Sequence, residues 1–247
     1  MKLVFLTNRD KSHLVKIAQN HGFNVCAIIL PYTSRYEEGL KPVIKLAKQK
    51  NIPLYRTKRI DLSGLLKELS PEILLSAGYP YLLKPEHLKI AKHNINIHPT
   101  LLPKYRGPAP HWYIIANGET ETGLTIHEID EGMDTGPILV QEKIELTLFD
   151  TLNTVMEKTM ALEPIAFKKA LDLLKKGNVR FNPQDETFAS TYIETLTPLD
   201  SRIDPNKSIL ELYNHIRACD PKRFPAFFEL DGKKIGIKLF ILPESQQ

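Results

Sequence analysis

Residues 2–30 read KLVFLTNRDKSHLVKIAQNHGFNVCAIIL. Two runs within it, 2–7 (KLVFLT) and 23–30 (FNVCAIIL), are apolar and rich in branched side chains without alternation, as strands buried on both faces require. Between them Leu14, Ile17 and Ala18 share one helical face, and Gly22 stands where a helix C-cap would. The spacing therefore predicts strand, helix, strand. The pattern recurs: a short helix around 42–50 leads to a strand at 52–57, and a helix near 61–69 to a strand at 72–77 (EILLSA). Strands alternating with helices at this interval predict an α/β fold, a mostly parallel sheet with helices on both faces.

The first strand-to-helix loop, Thr7-Asn8-Arg9-Asp10-Lys11-Ser12, has no Gly-x-Gly-x-x-Gly, which argues against a dinucleotide-dependent dehydrogenase. The loop still ends a strand and opens a helix, where backbone N–H groups favour anions. Asn8 and Arg9 are candidates for touching a diphosphate; Arg9 reads equally well as an exposed loop charge. Further on, 122–129 (TGLTIHEI) and 138–146 (ILVQEKIEL) read as strands joined by Asp130–Pro137. An amphipathic helix is expected over 152–175, with Leu152, Val155, Met156, Leu162, Phe167, Leu171 and Leu174 inward. Pro164 should kink or break it and Gly177 end it. Residues 182–205 lose periodicity and read as a linker. A helix at 206–218 with an apolar side of Ile209, Leu210, Tyr213 and Ile216 should follow, then a hairpin through Asp231-Gly232. So small a tail makes a poor independent core and is expected to dock on the main domain or a second subunit.

The chain has 247 residues, 42% hydrophobic and 25% charged, with a formal charge of +4. That is ordinary soluble composition. No apolar run approaches bilayer-spanning length and no signal-peptide h-region is evident, so cytoplasm is the expectation. A charge of +4 suits a phosphorylated substrate and is thin for a nucleic-acid binder. Lys45, Lys48, Lys50, Lys168, Lys169, Lys175 and Lys176 read as solvated helix surface. Cys26 and Cys219 lack metal-ligand or redox spacing and read as buried reduced thiols; no metal is expected.

The chemistry concentrates in Asn94-Ile95-Asn96-Ile97-His98-Pro99-Thr100-Leu101-Leu102-Pro103-Lys104-Tyr105-Arg106-Gly107 and Asp130-Glu131-Gly132-Met133-Asp134-Thr135-Gly136. On a strand of period two, Asn96 and His98 leave one face while Ile95 and Ile97 pack on the other. An amide donor beside an imidazole suits acyl transfer, one holding an oxyanion and the other moving a proton. A carboxylate from the second loop, Asp134, is placed to set the imidazole's tautomer and charge. His111-Trp112-Tyr113 falls on a helix after the Arg-Gly turn, and Trp112 reads as a core residue. His127 reads as structural.

Asn96-x-His98, Leu101-Leu102-Pro103, Lys104-x-Arg106-Gly107, Thr122-Gly123-x-Thr125 and Asp134-x-Gly136 together resemble the signature of folate-dependent formyltransferases. The match is dense from about Ser76 to Gln141, and a thinner likeness runs to about Phe228. The resemblance implies a Rossmann-like catalytic domain over 1–190, then a linker and small C-terminal helix-and-hairpin region over 191–247. It implies 10-formyltetrahydrofolate as formyl donor and Asn96, His98 and Asp134 as the catalytic residues. His98 would either carry the proton or, if charged, support the oxyanion. The folate pocket falls on Tyr81, Leu82 and Leu83 on one side and Ile129, Asp130 and Glu131 on the other; Asn8, Arg9, Tyr79 and Tyr105 are the expected substrate-binding residues.

Three acceptor readings compete. The Ile203-Asp204-Pro205 region resembles both the tRNA and the sugar enzymes, whereas the stretch Asn117–Gly123 resembles an aminoarabinose-modifying formyltransferase domain. Sugar-nucleotide N-formyltransferases act on amino deoxysugars linked to dTDP or UDP for surface polysaccharide such as O-antigen. A methionyl-tRNA formyltransferase is expected to continue into a basic barrel and to carry more positive charge. A non-catalytic nucleotide-binding module should lack one of the three catalytic positions. The sugar nucleotide is the expected acceptor, with no nucleic-acid or membrane partner and a homodimer as the expected assembly.

Overall fold

Leu3, Val4, Phe5 and Leu6 are all fully buried, as a strand covered on both faces must be. They form β1 (Lys2–Thr7), an interior strand of a seven-stranded sheet in the computed structural model, which describes residues 1–34, 36–58, 62–177, 179–192 and 194–242. Residue 61, Ile193 and residues 243–247, which fell within the expected third helix, linker and tail, lie outside these.

The strands are β1, β2 (Asn24–Pro31), β3 (Leu54–Thr57), β4 (Ile73–Ala77), β5 (His93–His98), β6 (Glu121–Glu128) and β7 (Ile138–Glu145), in the order β3-β2-β1-β4-β5-β6-β7. The first five are parallel, whereas β6 and β7 run antiparallel. The strand order reverses between β1 and β4, the switch point where open α/β sheets leave a crevice at the carboxyl ends of their strands. Thr7–Asp10 and Gly78–Tyr79 leave the sheet there.

One face of the sheet is covered by α1 (Ser12–Asn20), α2 (Glu37–Gln49) and α6 (Leu152–Lys176), the last meeting β1 through the Phe5–Phe167 edge contact at 6.2 Å. The other face carries α3 (Leu62–Leu69) and the short α4 (Pro85–Leu88). Ile95 and Ile97 belong to the first core, so the alternation of β5 turns Asn94, Asn96 and His98 the other way. A smaller cluster joins α5 (Pro110–Ala116) to α7 (Ile209–Ala218).

Several expectations need correction. α2 begins at Glu37 rather than near 42, with Pro42 inside it, and Pro164 lies inside one continuous 25-residue α6. A proline in a helix deprives the carbonyl four residues earlier of its donor. Here those carbonyls belong to Glu38 and Met160, both exposed residues, so the lost bond falls on the solvent side of each helix. Gly177 ends α6 in the left-handed region, φ 77°, as expected. Only the second half of the expected apolar side of α7 is covered: Tyr213 and Ile216 are half-buried. Ile209 is 88% exposed and Leu210 56%, while Asn214, Arg217 and Ala218 are buried. Arg217 satisfies its guanidinium on the Asp150 carbonyl (2.6 Å) and the Asn214 side chain (2.9 Å), so a polar stripe anchors this helix. The hairpin of β8 (Phe227–Leu230) and β9 (Lys233–Gly236) turns at Asp231-Gly232 with both φ positive. The aperiodic stretch after α6 is pinned to the domain through the Ile138–Asn182 and Arg106–Thr191 bridges.

Candidate functional site

The antiparallel join of β5 and β6 sets Asn96 opposite His127 and His98 opposite Thr125. Residues opposed across such a pair project from the same face at close range. Asn96 Nδ2 accordingly lies 3.2 Å from His127 Nε2, and it donates to Asp134 Oδ1 at 3.2 Å. His98 Nδ1 is 3.4 Å from Asp134 Oδ2, and His127 Nε2 is 3.4 Å from Oδ1. The Gly107 N–H donates to Asp134 Oδ2 at 2.9 Å. Three side chains and one backbone donor thus converge on a single carboxylate, and the three residues expected to be catalytic stand together.

His98 Nε2 faces the Tyr105 carbonyl at 2.8 Å, so both ring nitrogens look at acceptors. Burial nonetheless holds the His98 pKa below that of a free imidazole: it outweighs the upward pull of Asp134 and the Tyr105 carbonyl, and His127 adds to the depression. Burial alone would raise the Asp134 carboxyl; His98, His127 and the Gly107 N–H more than offset it and keep it far below the usual carboxylate range. On α5, His111 is pushed down to about 4, first by burial and then by His98, Arg9 and Lys11. Its Nε2 meets the Thr159 hydroxyl of α6 at 2.9 Å.

Asp134 itself has φ 55°, an uncommon conformation for a residue with a side chain. Gly136 follows because its backbone runs against Glu128: a Cβ there would lie 1.9 Å from the Glu128 carbonyl oxygen. The turn after β5 contains a cis Leu102-Pro103 bond and is tied down by Thr125, whose hydroxyl donates to Thr100 O (2.7 Å) and accepts from the Leu102 N–H (3.2 Å). Gln141 donates to Leu102 O at 2.7 Å.

The two sides expected for the folate meet. Leu83 is buried in the second core, and Ile129 packs against that same cluster. Tyr81 stands edge-on to Tyr79 at 5.5 Å, while Leu82 and Glu131 are exposed. Asp130 is turned inward on its own loop, accepting from Gly132 N–H and the Thr135 hydroxyl. At the switch point the side-chain oxygen of Asn8 is buried with no partner among the described residues. Arg9 lies over the Tyr36 ring, 3.5 Å from its centre, beside a cavity of about 360 Å³ lined by Arg9, Asp10, Ser34, Tyr36 and Glu37. Arg223, from the segment after α7, lies 5.8 Å from the same ring. A larger surface cavity, about 510 Å³, lies along Ile44–Leu54 and includes no candidate residue. Burial raises the Tyr79 hydroxyl pKa. Tyr105 is not brought to the crevice: it is buried, stacked on Tyr192, and its hydroxyl donates to Glu119 at 2.7 Å.

Sequence reading took His127 as structural, whereas the structure sets its ring against Asn96 and Asp134, and it passed over Gln184. His127 shares the period-two face of Thr125, but only the β5–β6 register shows what that face meets. Gln184 lies in an aperiodic stretch with no signal of its own. Among the described residues no group of three or more His, Cys, Asp or Glu is arranged to hold a metal ion, and no helix is long and apolar enough to cross a membrane.

A family model described as Formyl transferase matches residues 7–171. Methionyl-tRNA formyltransferase of Kosmotoga olearia is 34% identical over 232 residues, 90% of this chain and 74% of that protein. That of Thermosipho melanesiensis is 35% identical over 249 residues, covering 97% and 78%. Among solved structures, a 4-N formyltransferase from Francisella tularensis superposes with a TM-score of 0.80 at 21% identity over 98% of both chains. An N-formyltransferase from Helicobacter canadensis, in complex with folinic acid and dTDP-3-aminofucose, gives 0.75 at 21% identity over 95% of this chain and 85% of that one. At such identity the likeness speaks for the fold.

Proposed function

From the premise that this chain belongs to the formyl transferase family, we propose that it transfers the formyl group of 10-formyltetrahydrofolate to the amino group of a nucleotide-linked amino deoxysugar. The observation that carries the chemistry is the convergence of Asn96, His98 and His127 on Asp134 beside the switch point. Asn96 Nδ2 keeps one N–H on Asp134 and turns the other from His127 Nε2 to the formyl oxygen as negative charge develops there. His98, neutral because it is buried, takes the proton of the attacking amine and passes it toward the leaving nitrogen. Asp134 stays ionised and supports the charge His98 then acquires. The donor supplies the formyl group; Leu83 and Ile129 offer the apolar walls a flat ring needs, flanked by Tyr81, Leu82, Asp130 and Glu131.

This assignment fixes the pH dependence. A neutral His98 is required, and its pKa is held below the ordinary 6.5, so kcat should be level at neutral pH and fall only as pH drops through that lowered value. Asp134 is the largest influence raising that pKa. In Asp134→Asn the acid limb should therefore move to still lower pH while the plateau falls. A limb that stays in place or moves upward would remove His98 as the proton acceptor.

For the acceptor, the ligand-sized cavity beside Arg9 and Tyr36 favours a small molecule over a polynucleotide, as does the charge of +4. The diphosphate would lie against Asn8 and Arg9 at the first turn of α1, with Tyr79 across the crevice. Arg9→Ala should raise KM for the amino-sugar nucleotide roughly 10-fold or more while leaving KM for the folate unchanged, since a charge-assisted phosphate contact is lost. An unchanged sugar KM returns Arg9 to a loop charge. The second reading is methionyl-tRNA, favoured by the sequence relatives. Assays with 10-formyltetrahydrofolate and a panel of dTDP- and UDP-amino sugars beside methionyl-tRNA separate the two, and turnover of methionyl-tRNA alone would overturn the sugar proposal. Within the same proposal the enzyme is cytoplasmic, feeds surface polysaccharide such as lipopolysaccharide O-antigen, and is a homodimer; Leu230, Phe240 and Ile241 leave apolar surface exposed on the tail.

A further inference from the structure

We propose that Gln184 is a positioning residue for Asp134, holding together the two main-chain segments that aim its carboxylate. The inference rests on the catalytic reading of Asp134. Gln184 comes from the segment after α6, and its Nε2 donates to the Asp134 carbonyl at 2.8 Å and to the Gly136 carbonyl at 2.7 Å. Its Oε1 accepts from Arg106 Nε at 3.1 Å and Nη2 at 2.7 Å. Arg106 is buried and immediately precedes Gly107, whose N–H grips Asp134 Oδ2. One side chain thus fastens the Asp134 loop by its carbonyls and the Arg-Gly turn by its guanidinium.

The job needs an amide. Two donors must face the carbonyls while an acceptor faces the guanidinium, a combination that glutamate, lysine and arginine each lack. It also needs a brace, because Asp134 sits at φ 55°, a conformation that persists only where the surroundings enforce it. Glu186, which also pairs with Arg106, is exposed and touches neither carbonyl.

Gln184→Glu keeps an acceptor for Arg106 and removes both donors, whereas Gln184→Ala removes everything. Each should lower kcat roughly 10-fold or more, the scale of a small misplacement of a catalytic group, with both KM values at the wild-type level. Glu186→Gln should retain wild-type kcat. Asp134, on the loop after β6, is faced by His98 from β5 and His127 from β6, while His111 from α5 acts on His98; loosening Asp134 alone should shift the acid limb of kcat to lower pH. The decisive measurement is the cycle of Gln184→Ala, Asp134→Ala and the double variant. If Gln184 acts through Asp134, the double variant is no slower than Asp134→Ala. Losses that multiply, or a Gln184→Glu enzyme with wild-type kcat and pH profile, would overturn the proposal. Should Gln184→Ala fail to fold, the cycle is run with Gln184→Glu. Failure of the underlying reading shows separately, as full turnover in Asp134→Ala itself.

Discussion

Asn96→Ala should lower kcat by roughly 10²-fold or more, and His98→Ala by a similar factor, the scale on which an oxyanion donor or a proton carrier contributes. The reason is positional as much as chemical. Asn96 Nδ2 is oriented by its bond to Asp134 Oδ1, which leaves its second N–H, on His127 Nε2 at rest, to swing to the substrate. His98 is held between the Tyr105 carbonyl and Asp134. Both side chains leave the face of β5 opposite Ile95 and Ile97, so neither truncation opens the α6-covered core, and thermal unfolding should change little. The double variant, assayed by release of tetrahydrofolate in the presence of amine, should be no worse than the poorer single one if the two act on one transition state. Near-wild-type turnover in the double variant would overturn the catalytic assignment.

Gly107→Ala is expected to destabilise the protein by about 3 kcal/mol, combining an unfavourable backbone region with a backbone clash. Gly107 has φ 101°, and an added Cβ would lie 1.9 Å from the Tyr192 carbonyl oxygen. That oxygen belongs to backbone, and it is fixed in turn because the Tyr192 N–H donates to the Arg106 carbonyl at 2.9 Å and the Tyr192 ring stacks on Tyr113 at 3.9 Å. Relief therefore requires moving either the strap that carries Tyr192 or the turn that supplies the N–H to Asp134. Activity should fall along with stability, since the second movement withdraws a donor from the carboxylate. Urea denaturation reads the first effect and kcat the second; a wild-type midpoint would show that the strap yields freely.

Much of this architecture could be read from residue types. β1 and β2 announced themselves as unbroken apolar runs, Gly177 as a helix stop and Asp231-Gly232 as a hairpin turn, because each is a local rule about backbone or burial. Asn96 and His98 were legible as a pair since alternation along one strand places them on one face. What escaped depends on contacts between distant segments. Half of the α7 face was misread because hydrophobic periodicity cannot foresee a buried arginine that finds the Asp150 carbonyl. His127 needed the β5–β6 register, and Gln184 needed the path of a strap without periodicity. Pro164 was expected to kink or break α6 by a rule that neglects solvent at the orphaned carbonyl, yet the helix runs on through it.

The docking of α7 on α5 has a spectroscopic consequence. Trp112 is the chain's single tryptophan, and its ring meets Tyr113 at 5.1 Å and His215 of α7 at 5.5 Å, both edge-on. The indole therefore stands at the seam between the sheet domain and the tail, next to an imidazole contributed by the tail. Its emission reports on that seam alone, undiluted by other indoles. Set beside far-ultraviolet dichroism, which is dominated by the sheet and α6, it distinguishes peeling of the tail from collapse of the whole, with no label introduced.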